Sequence, residues 1–134
     1  MKRNINDGFT LIELMVVILI IGILASISIP SFVQSIEYAR EKEARATLQL
    51  IYNAEKVYRL DKKAYSSAAT TSDSDWANLA SYIANPNDTA EYYAYTVSPV
   101  NNAAVPPTFT ATAVRNGKPT NTVTIDQSGN LTPP

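Results

Sequence analysis

Residues 8–36 open with Gly8-Phe9-Thr10-Leu11-Ile12-Glu13 and continue LMVVILIIGILASISIPSFVQSI, a run of 23 residues from Leu14 to Ile36 without a charge. Lys2, Arg3 and Asp7 stand before it. A basic start followed by an apolar run is a membrane-targeting pattern. About 20 helical residues cross a hydrocarbon core roughly 30 Å thick, so the run is long enough to span. Between Leu14 and Ile29 there are 11 Leu, Ile or Val residues, each favouring insertion by about 0.3–0.6 kcal/mol. Their sum, on the order of 3–7 kcal/mol, exceeds the ~2.5–3.5 kcal/mol of a central carboxylate. Glu13 lies near the end of the run, where its cost is smaller. Two roles fit it: an acid complementing the positive helix start, or a carboxylate awaiting a cationic partner in an apolar setting.

Composition removes most catalytic chemistry. The chain has 134 residues, 11 basic and 12 acidic, with no cysteine and no histidine. It therefore has no disulfide framework, no thiolate and no imidazole for acid/base work or metal binding. The near-zero net charge leaves no electrostatic footprint for nucleic acid. The four glycines, at 8, 22, 117 and 129, form no phosphate-cradling loop. We expect no enzyme activity, no metal and no cofactor.

A short basic leader ends in Gly8, Phe9 follows, and Glu13 stands four residues later. This combination resembles the N-terminus of type IV pilins and the related pseudopilins of type II secretion. The resemblance is close over residues 2–30 and continues as a helical pattern to about Tyr65. The eight-residue leader and phenylalanine start are similar to the type IVa class. The resemblance implies cleavage between Gly8 and Phe9 by a prepilin peptidase, then methylation of the Phe9 amino group. It also implies that Glu13 pairs with the Phe9 ammonium of a neighbouring subunit. The partners it implies are further copies in a homo-oligomeric helical filament, the peptidase, the inner-membrane pilus assembly machinery, and lipid before assembly. The precursor would be a single-span inner-membrane protein and the assembled filament extracellular.

An ordinary secretory signal is the competing reading. Small residues Ser26 and Ser28 would then mark cleavage before Ile29 and release a soluble domain. That reading leaves Glu13 and the Gly-Phe step unexplained. Gly22 and Pro30 interrupt the helical pattern, and an interior proline costs about 3 kcal/mol. In membrane segments neighbouring helices re-satisfy the freed groups. We expect a hinge at these two positions.

The pattern continues as an amphipathic helix over residues 37–65. Ala44, Leu48, Ile51, Ala54 and Tyr58 recur at helical spacing, with Leu50 and Val57 widening the stripe. Glu41–Arg45 and Glu55–Arg59 stand four apart, acid first, the better order for surface pairs. Tyr38, Tyr52, Tyr58 and Tyr65 read as packing residues with hydroxyls at the rim.

Residues 66–91 begin with a polar loop, SSAATTSDSD. Asp73 and Asp75 lack the glycine and terminal glutamate of a calcium loop. Trp76, Leu79, Ala80 and Ile83 predict a short helix, stopped by Asn85-Pro86. Over residues 92–134 the period becomes two. Tyr93, Tyr95 and Val97 form one strand, Phe109, Ala111 and Ala113 another, Val123 and Ile125 a third. Asn116-Gly117 predicts a type I′ turn between the last two. The stretch TVTIDQSGNL is similar to the terminal strand and turn of type IVa pilins. Many of those staple this region with a cysteine pair, so here packing, hydrogen bonds or neighbours must hold the last loop.

The expected fold is α+β: a long N-terminal helix, apolar over 9–36 and amphipathic over 37–65, packed on an antiparallel sheet of three to four strands. The resemblance makes residues 1–8 the leader. The expected function is a type IV pilus subunit. The alternatives are a type II secretion pseudopilin and a minor pilin for adhesion or DNA uptake, the last with only Lys62, Lys63, Arg115 and Lys118 to offer a nucleic acid.

Overall fold

The structure, a computed structural model, describes residues 8–133. The leader expected at residues 1–8 therefore lies outside the described residues except for Gly8. The element order is α1 (Leu11–Lys62), α2 (Asp73–Trp76), a 3-10 turn (Pro86–Asp88), then β1 (Tyr93–Asn101), β2 (Thr108–Arg115), β3 (Lys118–Asp126) and β4 (Leu131–Thr132). The α+β expectation is met by the long helix and one four-stranded antiparallel sheet in the order β1-β2-β3-β4. The chain divides into two compact units, Met1–Ala39 and Arg40–Pro134.

In the first unit helical backbone is continuous through both Gly22 and Pro30. Its apolar side chains, from Leu14 through Val33, are all exposed. Ser26 and Ser28 return their hydroxyls to the carbonyls of Ile23 and Leu24, at 2.7 and 2.8 Å. Their polar groups are thus satisfied within the helix, which suits an apolar surrounding.

In the second unit the sheet closes a core against the last turns of α1. The inward residues of the three long strands alternate as expected: Tyr93, Tyr95 and Val97, then Phe109, Ala111 and Ala113, then Val123 and Ile125, all buried. Ala44, Leu48 and Ile51 meet them from α1. Tyr65 lies over Phe109 with ring centroids 4.6 Å apart. Small Ala111 and Ala113 at the centre of β2 leave room for the helix and the large aromatics beside them.

Several local expectations are corrected. Leu50 and Val57 do not widen the core stripe; they are 59% and 49% exposed. Glu55 is not in a surface pair with Arg59 but fully buried, with Oε2 accepting the N–H of Ser66 at 3.0 Å. Arg59 instead donates to the Tyr65 hydroxyl at 2.9 Å. Both changes have one cause: the chain leaves α1 earlier than Tyr65. Lys63 takes φ +60 and its N–H bonds to Arg59 O at 2.9 Å, a left-handed helix cap without glycine. The returning residues 65–68 then cover the Glu55 side of the helix.

The helix expected from Trp76 to Ile83 is a single turn placed earlier, Asp73–Trp76, followed by turns. Its start is fixed by side chains, since Asp75 accepts from Thr70 N and Asp73 from Asn85 Nδ2, both at 2.8 Å. These bonds explain the two aspartates without a metal. The supposed loop before it contains a buried β-bridge, Ala68 to Val97. The β2–β3 turn is not type I′. That geometry needs positive φ at both central residues, and here Gly117 has it, at +75, while Asn116 does not. Pairing slips from Val114↔Thr122 to Arg115↔Lys118, beside Pro119, which has no N–H for the ladder.

The free edge of β1 is covered rather than left open. Ala68 pairs with Val97, and Asn87 acts as a strand substitute, with Oδ1 accepting from Tyr95 N at 2.7 Å and Nδ2 donating to Tyr95 O at 3.0 Å. The cysteine-free last loop is held by Asp126. Its carboxylate accepts from Ser128 N at 2.8 Å, Asn130 N at 3.0 Å and Asn130 Nδ2 at 3.1 Å. Gly129, at φ +86, packs on the Tyr52 ring. The basic residues are not a common surface: Arg115 is buried with Nη1 donating to Tyr92 O, and Lys62 pairs with Asp61 at 2.9 Å.

Candidate functional site at the helix start

Thr10 precedes the first residue of α1, and its side chain makes the cap. Glu13 N donates to Thr10 Oγ1 at 3.3 Å, while Glu13 Oε2 accepts from both Thr10 N and Thr10 Oγ1 at 2.8 Å. This is a reciprocal capping box, which satisfies backbone donors that the first turn leaves orphaned. The spacing Thr10-x-x-Glu13 is its sequence signature, and Thr10 adds a capping role to the helix-dipole and ion-pair roles expected of Glu13.

The box has a chemical consequence. One carboxylate oxygen, Oε2, is committed to Thr10, which sets where the negative charge sits at the start of the apolar helix. Phe9 projects beside it, 84% exposed. Together Phe9, Ile12, Glu13, Val16 and Val17 line one shallow depression, apolar except for the carboxylate. Gly8 has nothing within 4 Å of where a Cβ would stand, so the Gly8–Phe9 peptide is open to approach. Phe9 and Glu13 thus share one depression, and Gly8 precedes it in the chain. Gly22 and Pro30 lie farther along α1 and belong to no part of this cluster. Among the described residues no group of histidine, cysteine or carboxylate side chains is placed to hold a metal.

The family profile described as the prokaryotic N-terminal methylation motif matches residues 3–29, the segment that contains this cluster. The type IV major pilin protein PilA of Myxococcus xanthus is 47% identical over 64 residues, 48% of this chain and 29% of its own length. The type II secretion system core protein G of Aeromonas hydrophila is 40% identical over 65 residues, 48% of this chain and 46% of its own. Over its N-terminal half the chain is similar to type IV pilins and to type II secretion pseudopilins.

A third relative is the competence protein ComGC of Halalkalibacterium halodurans, 39% identical over 54 residues, 40% of this chain and 53% of its own length. The chain thus covers less than half the length of each of the first two relatives. No solved structure shows a significant match. Two parts of the chain are distinct, an exposed apolar helix and a folded headpiece. Here α1 supplies the one helix among the described residues long and apolar enough to cross a membrane. The unit Arg40–Pro134 supplies the headpiece with its own core.

Proposed function

We propose that this chain is the structural subunit of a type IV pilus, made as a prepilin and stored as a single-span protein of the inner membrane. The observation that carries this reading is the exposed apolar helix that begins at the Thr10–Glu13 box directly after the open Gly8–Phe9 step. Prepilin peptidase cuts between Gly8 and Phe9 and leaves the apolar segment attached. The new Phe9 amino group is methylated. In the filament Glu13 pairs with the Phe9 ammonium of a neighbouring copy, because a carboxylate moved into packed apolar helices is strongly penalised unless it meets a cation. Gly22 and Pro30 let the helix bend as it leaves lipid for the filament.

The alternative role is a pseudopilin of type II secretion, which the similarity to core protein G supports. The N-terminal chemistry is common to both.

The test is the N-terminal residue and intact mass of the protein from its native cells. A chain starting at methylated Phe9 supports the proposal; one starting near Ile29 would mean a secreted soluble domain and end it. Deletion then separates the two roles. Loss of surface filaments supports the pilus subunit, and loss of protein secretion with filaments intact supports the pseudopilin.

A further inference from the structure

The loop between β1 and β2 carries an apolar apex on a fixed polar base. Asn101 Oδ1 accepts from Ala103 N and Ala104 N, both at 3.1 Å. Asn102 bridges the backbone of Tyr65, with Oδ1 accepting its N–H at 2.7 Å and Nδ2 donating to its carbonyl at 3.0 Å. Tyr65 is itself in the core. On this base stands Val105, 98% exposed and so in contact with almost nothing of its own chain. Removing such a side chain from water is favourable. A tip already held in place loses little entropy when it is covered.

The same unit carries a hollow suited to such a tip. Leu50, Asn53, Ala54, Val57, Tyr82 and Ile83 enclose about 260 Å³ between α1 and the turn after α2. Leu50 and Val57, with Leu60, are the large apolar residues on this part of α1 that the sheet leaves uncovered. Tyr82 makes a firm wall, since its hydroxyl donates to Asp61 at 2.7 Å and its ring meets Tyr58 edge-on at 5.7 Å.

Charge favours the same pairing. Pro107, at the foot of the loop, shares a depression with Lys56, Arg59 and Lys63. The hollow continues through Leu50 and Ile83 into a second one that bears Glu43 and Asp88. The tip therefore stands by cations and the hollow by anions. Unlike surfaces on one chain that meet between copies make a heterologous contact, and such contacts generate open-ended arrays.

We propose that the apex at Val105 of one copy seats in the Leu50–Val57–Ile83 hollow of the next, with Lys56 and Lys63 facing the neighbour's Glu43 and Asp88. This contact deepens the filament reading and rests on it. It places a second contact in the headpiece, remote in sequence from the Glu13–Phe9 pair.

The chain has no cysteine, so an introduced pair gives an unambiguous readout. In the full-length chain in its native cells, Val105→Cys with Val57→Cys alters two exposed positions outside the core. Filaments sheared from these cells and oxidised with diamide should give a ladder of covalent multimers. Neither single variant should do so. Filaments of normal yield without a ladder overturn the contact and leave the filament reading standing. An equally strong ladder from Val105→Cys alone also overturns it, since apex would then meet apex. Wild-type cells without filaments overturn the filament reading and this contact with it. A second variant, Val105→Asp, should lower filament yield about tenfold, the equivalent of about 1.4 kcal/mol per contact, at unchanged membrane level. Unchanged yield overturns the proposal.

Discussion

Ser66 donates its backbone N–H to Oε2 of Glu55 at 3.0 Å, tying the chain that leaves α1 back onto the helix eleven residues earlier. Glu55 is fully buried, and its Oε1 and the Ser66 hydroxyl oxygen are buried without a hydrogen-bond partner among the described residues. Burial pushes the Glu55 carboxyl up to about 7, against the Ser66 N–H, which holds it down. The proton is then bound more tightly in the folded chain than in the unfolded one.

Stability should therefore fall as pH rises from about 4.5 to about 7, because the unfolded chain ionises first and the folded chain still holds the proton until the advantage is spent. The span corresponds to on the order of 3 kcal/mol. Glu55→Gln keeps an acceptor for Ser66 N–H without a charge, and should flatten this slope and raise the melting temperature at pH 8. Melting curves of both chains in detergent at pH 5 and pH 8 check it. Equal slopes for the two would show that Glu55 does not titrate in this window.

Asp126 acts at the other end of the pH scale. Desolvation raises its pKa, but the hydrogen bonds from Asn130, Ser128 and Gly129 outweigh it, and the net position is below the usual 3.8. Its contribution is present above that value and is lost as pH falls through the folded pKa. Asp126→Ala removes three acceptor bonds in the last loop and should cost about 1–3 kcal/mol at neutral pH. Urea midpoints would measure the cost, and a loss below about 0.5 kcal/mol would mean that packing alone holds the loop.

At the helix start, capping and pairing are separable. Glutamine serves in a capping box as glutamate does, but it carries no charge. Glu13→Gln and Glu13→Ala should both insert at wild-type levels and both fail to give filaments. Membrane fractionation and sheared filament yield are the two readings. Wild-type filaments from Glu13→Gln alone would assign Glu13 to capping and remove the ion pair.

Leu48 is fully buried between α1 and the sheet. Leu48→Ala should destabilise the headpiece by about 2–5 kcal/mol. The exposed Leu50→Ala should cost under about 0.5 kcal/mol in the same denaturation experiment. Equal costs at the two positions would contradict the placement of the core face.

Elements whose reason is local were legible in the sequence. The apolar run from Leu14 to Ile36 announces itself by length and absence of charge, and period two in Tyr93, Tyr95, Val97 and in Phe109, Ala111, Ala113 marks strands that bury one face. Phe9 and Glu13 line one depression, four residues apart at the start of the helix. The capping partner Thr10 was equally available at its spacing from Glu13.

What the chain pattern left open were features decided by contacts remote in sequence. Leu50 and Glu55 stand on one helix with ordinary helical spacing to their neighbours. The leucine is in water and the carboxylate in the core, because the chain turns back at Lys63 and lays Ser66 over the Glu55 side. Helical periodicity ranks faces by hydrophobicity and cannot know where the returning chain will lie. The sequence by itself determined the long apolar helix, the class of fold and the capping box at the helix start, since these depend on neighbours within a turn or on strand alternation. Tertiary structure alone decided which flank of the helix is covered, how Gly129 comes to lie against Tyr52, and that Val105 stands exposed on a fixed base. Each of these rests on a hydrogen bond or packing contact that exists only once distant segments have met.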